Sequence, residues 1–255
     1  MAQTFAIANH KGGVGKTTTA INVGAGLAAR GYDVLLVDMD AQANLTDTLR
    51  IEDTQPNVYD MLRGDAAAVP VHVGEHLDAL PATLDLATAE VELTTAIGRE
   101  RLLTDVLQPL QPKYDYILID TAPTLGLLTI NAMAAADAVI IPLQAEYYAL
   151  KGVRGLLDVI TNVQRRINHG LTIGGVIVSQ YDTRTTLHKQ VRDTIAAQFG
   201  AATFDTPVRQ CIAIAEAQAK HADIFTYAPD SAGAEDFGKI VAEFIQRYDT
   251  TAARQ

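Results

Sequence analysis

The sequence has a single cysteine, Cys211, and no tryptophan among its 255 residues. One cysteine cannot form an internal disulfide. It also cannot provide the several cysteine ligands that a cysteine zinc site or an iron–sulfur cluster needs from one chain. Positive charge is also scarce, because 20 Lys and Arg face 30 Asp and Glu and leave a net charge of −10. This charge balance argues against a protein that is basic overall and coats nucleic acid, although it leaves room for a local basic patch.

Long hydrophobic runs are absent too. No apolar stretch approaches the roughly 20 residues of a membrane span. The residues before Phe5 contain no Lys or Arg, which a secretory signal requires. With 48% hydrophobic and 20% charged residues, the composition is that of a globular protein. No Gly-, Ser- or Pro-rich linker and no internal repeat divides residues 1–255, so we expect one domain in the cytoplasm.

Short apolar runs alternate with helical patterns along most of the chain. This alternation predicts a doubly wound α/β fold with a mainly parallel sheet flanked by helices. The predicted strands are 5–8, 34–37, 116–119, 138–141 (ended by Pro142) and 171–178. The predicted helices are 17–30, 126–136, 151–167, 186–199 and 234–248. Residues 51–111 show less regular patterning.

A glycine-rich segment lies between the first strand and the first helix. It reads His10-Lys11-Gly12-Gly13-Val14-Gly15-Lys16-Thr17-Thr18, and residues 11–18 are the candidate nucleotide-binding residues. Glycines let backbone N–H groups turn towards phosphate oxygens, and the helix N-terminus adds its positive end. Lys16 would reach the β- and γ-phosphates, and the Thr17 hydroxyl would bind Mg²⁺. A plain glycine-rich turn with surface lysines is the alternative, and the strand–loop–helix context favours the phosphate loop.

The loop departs from the general pattern at its start. His10 stands where the first glycine is usual, and Lys11 is a second lysine within the loop. Two cations there would repel each other without an anion nearby. The sequence therefore predicts that Lys11 has a phosphate target of its own.

At this point the sequence resembles the ParA/MinD group of P-loop ATPases, whose deviant Walker A motif matches residues 11–18. Residues 37–44 (VDMDAQAN) resemble the switch segment of the group, and residues 117–123 (ILIDTAP) resemble its Walker B strand. Residues 125–132 match the segment that follows Walker B. Residues 146–150 and 181–185 are similar to ParA proteins of the Soj type in particular.

The resemblance implies roles for individual residues. It implies that Lys11 crosses an ATP-sandwich homodimer to the nucleotide of the partner, while Lys16 and Thr17 bind phosphate and Mg²⁺. It further implies that Asp40 orients or activates the attacking water and that both Asp40 and Asp120 support Mg²⁺ through water. Acids after strands also serve as caps and turns. For Asp38 both interpretations stay open.

Two departures from the family pattern stand out. Ala41 occupies the position where the family has a proline after the switch aspartate, which could loosen the switch. The family loop that lies beside adenine is matched only loosely by residues 207–217. From that loose match we expect adenine contacts from Pro207 and Arg209.

A basic segment suggests DNA binding. Residues 151–192 carry a net charge of +5 while the rest of the chain carries −15, which suggests one face for a polyanion. Arg184 matches a ParA arginine that contacts DNA, and Lys189 and Arg192 follow on the next helix. Ordinary solvated helix faces are the alternative. The net negative charge of residues 235–255 argues against the basic membrane helix of MinD-like relatives.

The family implies a switch. ATP with Mg²⁺ would close a homodimer on nonspecific DNA, and a ParB-like partner would stimulate an otherwise slow ATPase to segregate a plasmid or chromosome on the nucleoid. Two alternatives remain: the same ATPase positioning a protein cargo, such as a microcompartment or chemotaxis cluster, and a nucleotide-dependent scaffold with negligible hydrolysis. Asp40 weighs against the scaffold. No helix-turn-helix domain precedes the phosphate loop, so we expect no operon repression by that route.

Overall fold

The computed structural model describes residues 1–52, 56–146 and 149–249. The strands are β1 (Gln3–Ile7), β2 (Val34–Met39), β3 (Val71–Gly74), β4 (Leu77–Leu80), β5 (Tyr116–Thr121), β6 (Ala138–Gln144) and β7 (Thr172–Ser179). The helices are α1 (Lys16–Ala28), α2 (Asn44–Thr48), α3 (Val58–Arg63), α4 (Leu86–Glu92), α5 (Leu102–Leu107), α6 (Leu127–Ala135), α7 (Ala149–Arg166), α8 (Thr186–Phe199), α9 (Ile212–Ala219), α10 (Ile224–Tyr227) and α11 (Ala232–Tyr248).

The strands form one sheet in the order β3-β4-β2-β5-β1-β6-β7. Every neighbouring pair is parallel except β3 with β4, which is antiparallel at the edge. The predicted doubly wound, mainly parallel sheet is therefore confirmed. Because β1 lies between β5 and β6, the carboxyl ends of the central strands meet at one edge, where ligands of such sheets bind.

Alternate residues of each strand supply two separate cores. In β1, Phe5 and Ile7 belong to a buried cluster with α1 and α11, while Ala6 and Ala8 belong to a cluster with α6 and α7. This follows from the period of two along a strand. Both faces are covered by helices, which explains why the strands are continuous apolar runs in the sequence.

Pro142 does not end its strand, and that prediction is wrong. The strand β6 continues to Gln144 and pairs with Ser179 of β7. The Ile140 carbonyl accepts a hydrogen bond from the Ala8 N–H on the β1 side, so Pro142, two residues on, faces the same side. Since β1 has ended there, no ladder partner needs the missing N–H of proline. The Pro142 carbonyl instead accepts a hydrogen bond from the Asn9 side chain at 2.7 Å.

The less regular segment contains a small hairpin that the sequence patterning missed. The strands β3 and β4 have four residues each and are joined through His76, whose φ of 58° is left-handed. The outer strand is only half buried, while β4 pairs with β2 through Val34 and Leu77. Strands this short offer too few residues for a periodic pattern.

Gly175 in β7 gives a stability prediction. A Cβ at this position would lie 2.3 Å from the Phe204 ring, which is buried and covered by Arg247. We expect Gly175→Ala to lower the free energy of unfolding by about 1–3 kcal/mol through overpacking. Urea denaturation measures this change. The control is Gly238→Ala in α11, where a Cβ meets nothing within 4 Å; it should be neutral or stabilising because alanine favours the helix. Equal effects of the two substitutions would contradict the packing argument.

Candidate functional site

The phosphate loop forms an open cradle at the carboxyl edge of the sheet. Gly13 and Gly15 have φ angles of 71° and 92°, a region that favours glycine. A Cβ added to Gly12 or Gly13 would meet nothing within 4 Å, so the loop has space beside it. Gly15 precedes α1 without a side-chain cap, which leaves the first N–H groups of the helix available to an anion.

Side chains from two neighbouring strands hold the loop in this shape. Gln144 and Gln180 donate to the Gly13 carbonyl at 3.1 and 2.7 Å, and the Ser179 hydroxyl donates to Val14 at 2.8 Å. These bonds occupy the loop carbonyls and leave its N–H groups for a ligand. Sequence analysis missed these residues. Their signal is that polar side chains end the buried strands β6 and β7, at the edge where β1 also ends.

Lys16 is nearly buried, with 7% of its surface exposed. Its ammonium makes a long hydrogen bond of 3.4 Å to the Lys11 carbonyl. Burial lowers the pKa of Lys16, and the charges of Asp120 and Asp40 oppose this shift in part. Phosphate oxygens bound next to Lys16 would add negative charge beside its ammonium and would stabilise the charged form further.

The carboxylates of β2 and β5 face each other across paired strands, since Asp38 is in register with Asp120. Asp120 is fully buried and accepts a hydrogen bond from the Thr17 hydroxyl at 2.6 Å. Its other oxygen, Oδ1, is buried without a hydrogen-bond partner. Burial raises the pKa of Asp120, and the charge of Asp38 raises it further.

An orphaned carboxylate oxygen beside a threonine hydroxyl fits a magnesium site. Buried polar atoms normally have partners, and Mg²⁺ prefers carboxylate, hydroxyl and water oxygens. Among the described residues no group of three or more His, Cys, Asp or Glu side chains could hold a metal without further ligands. Phosphate and water oxygens would therefore complete the coordination at Thr17 and Asp120.

Asp40 lies where β2 leaves the sheet and lines the cavity beside the phosphate loop. One of its oxygens accepts a hydrogen bond from the Gln42 N–H at 3.0 Å, the turn bond expected of an aspartate after a strand. Asp40 therefore stabilises the turn after β2 and also lines the cavity. Asp38 accepts three hydrogen bonds, one from the Asp40 N–H and two from Thr46 in the first turn of α2, so its contacts are with neighbouring residues of its own chain rather than with the cavity.

A cavity of about 1080 Å³ extends from the phosphate loop between the switch segment and two further walls. One wall follows β7 and includes Gln180 and Arg184. The other runs from Val208 to Gln218. This volume is at the upper end for a small-molecule site, and most of the lining residues are polar or charged.

Comparison with known proteins agrees with this geometry. A model of an AAA domain family matches residues 2–173. The sporulation initiation inhibitor protein Soj of Bacillus subtilis is 45% identical over 250 residues, covering 95% of this chain and 99% of that protein. The chromosome partitioning protein ParA of Caulobacter vibrioides is 41% identical over 252 residues, covering 96% and 94%. The chain belongs to the ParA/Soj family of P-loop ATPases.

A solved structure extends the likeness to the cofactors. The protein described as cobyrinic acid a,c-diamide synthase from Mycobacterium smegmatis, with bound ATP analogue and magnesium, has a TM-score of 0.86 and 33% identity. The match covers 98% of this chain and 97% of that one. ATP and Mg²⁺ are accordingly the cofactors of the present ParA-family chain, and the cradle, Lys16, Thr17 and Asp120 fit them.

The family lysine, Lys11, has a counter-ion within its own chain. Its ammonium bonds to Gln144 at 2.5 Å and to Glu146 at 2.6 Å, and about half of each charged side chain is exposed. The expected repulsion from Lys16 is therefore balanced without a phosphate, and the argument from an unopposed cation is wrong. Tyr147 and Tyr148 of the Soj-like motif lie outside the described residues.

The expected adenine contacts fall on residues with different surroundings. Arg209 is one of the residues that line the cavity, but its guanidinium bonds to Asp236 at 2.7 Å and to Glu235 at 2.6 Å on α11. These bonds raise the pKa of Arg209. The lining includes Val208 next to Pro207 but not Pro207 itself. The same wall presents residues that sequence analysis missed: Gln210, Cys211, Ile212, Ile214 and Gln218.

The candidate DNA residues lie at the carboxyl edge or near it. Arg184 is highly exposed and pairs with Asp182 at 2.9 Å, and this bond lowers the pKa of Asp182 to about 2. Lys189 is exposed on α8, and Arg192 donates to the Asp205 carbonyl at 2.7 Å. Because α7 runs back across the sheet, Arg165 and Arg166 at its end lie at the opposite edge. The basic segment is thus divided between two edges.

The described residues include no helix that is long and apolar enough to cross a membrane. In α11, the apolar residues Phe237, Ile240, Val241 and Phe244 are buried in the core, and the partly buried Ile245 packs against them. Arg254, which was part of the charge count for this region, lies outside the described residues.

Proposed function

We propose that the chain is an ATP-driven switch that grips nonspecific DNA as a homodimer and moves a plasmid or chromosome with a ParB-like partner. The observation that carries this proposal is one cavity lined by the nucleotide cradle, the Asp40 carboxylate and an exposed arginine, Arg184, with Asp120 held behind Thr17. The relatives named for sporulation control and chromosome partitioning support the biological setting. The nucleoid would be the track, and residues 1–255 would act as one domain.

The residues divide the work of hydrolysis between them. The glycine N–H groups and Lys16 bind and orient the phosphates, while Thr17 and Asp120 hold the magnesium site. When bound, Mg²⁺ draws charge from the phosphate oxygens. Asp40, which belongs to the switch segment and lines the cavity, orients the attacking water. Lys16 stabilises the negative charge of the phosphates and transfers no proton.

Slow turnover by the isolated chain follows from the two arginines of the cavity wall. Arg184 is paired with Asp182, and Arg209 is paired with Asp236. Both guanidiniums are bonded to carboxylates rather than to the phosphate loop, so neither supplies the arginine contribution that is worth 10³–10⁵ in rate elsewhere. A partner protein that rearranges these walls would accelerate hydrolysis, as the proposed switch requires.

Dimer closure is proposed to depend on Lys11. Its ammonium lies at the rim of the phosphate loop and is about half exposed. A second protomer that presents its own nucleotide phosphates would compete with Glu146 for this ammonium. Phosphates carry more charge than one carboxylate, so the exchange would favour the ATP-bound dimer.

The test is retention on a random-sequence DNA duplex without nucleotide, with ADP and with ATP–Mg²⁺. We expect retention only with ATP–Mg²⁺, weakening as salt rises. Arg184→Ala should lower the salt slope by about 0.9 per protomer, and the uncovered Asp182 would add repulsion. Arg166→Ala is the charge-matched control because Arg166 lies at the opposite edge of the sheet. Equal or absent binding in all three nucleotide states, or equal losses in both variants, would contradict the DNA-gripping switch.

A further inference from the structure

Asp38 connects the start of the switch segment to the helix α2 that follows it. Its Oδ1 accepts a hydrogen bond from the Asp40 N–H at 3.1 Å. Its Oδ2 accepts two more from Thr46, from the backbone N–H at 3.0 Å and from the hydroxyl at 2.7 Å. Asp38 is fully buried, and Thr46 and Asp40 are nearly so. One carboxylate thus ties the end of β2 to the helix α2, six residues beyond Asp40.

The Thr46 hydroxyl continues this connection to a second strand, β4. It accepts a hydrogen bond from the Ala82 N–H at 2.9 Å, just after β4 ends. The hydroxyl therefore donates to Asp38 and accepts from Ala82, which uses its bonding capacity in two directions. The strands β2 and β4 are paired neighbours, so this chain of bonds anchors the switch segment to the rigid sheet.

We propose that Asp38 and Thr46 are positioning residues, which hold the backbone of Asp40 so that its carboxylate stays aimed into the nucleotide cavity. The proposal rests on the hydrolytic role proposed for Asp40. Ala41, where the family resemblance has a proline, leaves the backbone after Asp40 with more conformational freedom. The Asp38 bonds restrict that freedom from both sides.

Burying the Asp38 carboxylate costs free energy, which argues against a role in local turn structure alone. The carboxylate is buried opposite Asp120, and burying one acid against another costs free energy that a neutral residue would avoid. A neutral amide also could not accept all three donors, since it has one acceptor oxygen. A carboxylate at this position suits a segment that must be held by three N–H and O–H groups at once.

The experiment compares two substitutions of Thr46 that differ by one group. Thr46→Val keeps the shape and removes the hydroxyl, whereas Thr46→Ser keeps the hydroxyl. We expect Thr46→Val to lower kcat for ATP about 10-fold or more, because small misplacements of catalytic groups are costly. Its affinity for a fluorescent ATP analogue should stay within about threefold of wild type, because the cradle is untouched. Thr46→Ser should restore kcat to within about threefold of wild type.

Two further variants separate the outcomes. Asp38→Asn provides a second route if Thr46→Val folds poorly, and it should show the same kcat loss with retained ATP binding. Thr161→Val in α7 removes a hydroxyl that bonds only to the Leu157 carbonyl at 2.8 Å, so kcat should not change. Asp40→Ala should lose hydrolysis altogether.

Each result has one meaning. A wild-type kcat in both Thr46→Val and Asp38→Asn would overturn the positioning role. A loss of ATP affinity without a loss of kcat would also overturn it. So would a Thr46→Ser variant whose kcat is as low as that of Thr46→Val. If Asp40→Ala hydrolyses ATP like the wild type, the proposed function of Asp40 fails instead. Loss of kcat in Thr46→Val with recovery in Thr46→Ser supports the inference.

Discussion

Replacing Lys16 by alanine is expected to lower the affinity for ATP by about 100-fold or more. Charge-assisted hydrogen bonds contribute about 1.5–3 kcal/mol each, and the ammonium lies beside a cradle built for more than one phosphate. Among the residues that the structure describes, the ammonium has one hydrogen-bond acceptor, the Lys11 carbonyl at 3.4 Å. An ammonium has three donors, so two of them are available to phosphate oxygens.

Thermal unfolding with and without ATP–Mg²⁺ measures this effect. A ligand at 100 times its Kd stabilises a protein by about 2.7 kcal/mol, which raises Tm by about 5–10 °C for a chain of this size. Lys16→Ala should lose this shift, while its Tm without nucleotide should stay close to that of the wild type. The unliganded fold gains little from a charge that burial disfavours.

Two lysine controls sharpen the comparison. Lys113→Ala removes a charge from the loop before β5, at the edge away from the cavity, and should leave the shift unchanged. Lys11→Ala should keep most of the shift measured on the monomer but lose ATP-dependent dimerisation in light scattering. A full ATP shift in Lys16→Ala would contradict the phosphate-binding role. Loss of the monomer shift in Lys11→Ala would place Lys11 in its own nucleotide site rather than in that of the partner.

Replacing Arg209 by alanine is expected to destabilise the fold by about 3 kcal/mol. Removing one partner of a buried ion pair costs about 3–5 kcal/mol, because it leaves the other charge buried and unpaired. Asp236 has 4% of its side chain exposed, and it accepts hydrogen bonds from both the Arg209 backbone and its guanidinium. Arg209 is one-third exposed, which places the expected value at the lower end of the range.

A double-mutant cycle in urea isolates the pair. Arg209→Ala and Asp236→Ala should each be strongly destabilising, and the double variant should be clearly less destabilised than their sum. ATP affinity of folded Arg209→Ala should stay within about threefold of wild type, because the guanidinium points to α11 rather than into the cavity. A large loss of affinity with little loss of stability would show instead that the guanidinium contacts adenine, as the loop match suggested.

The site could be predicted from sequence where its parts are close along the chain. Residues 11–18 form a continuous loop, and glycine, lysine and threonine act there through backbone freedom, charge and a hydroxyl that belong to the residues themselves. Asp40 could be placed at the cavity, and Asp120 next to the Thr17 hydroxyl, because each follows or ends a buried apolar run. Parallel strands bring such ends to one edge whatever the details of packing.

Residues whose role depends on distant partners could not be assigned in this way. Gln144 and Gln180 hold a carbonyl of the phosphate loop from more than 130 positions away. Glu146 neutralises Lys11 across a similar separation, which reversed the argument from charge repulsion. Arg209 resembled part of an adenine loop, yet α11 supplies two carboxylates that hold its guanidinium.

The sequence by itself determined the class of the fold, the phosphate loop and the switch and Walker B aspartates, because hydrophobic periodicity and local backbone chemistry act over a few neighbouring residues. Only the tertiary structure decided that β6 continues through Pro142, that the basic segment is divided between two edges, and that Asp38 anchors the switch segment through Thr46. The physical reason is that each of these depends on which strand or helix lies beside it, and that neighbour is set by the packing of the whole sheet.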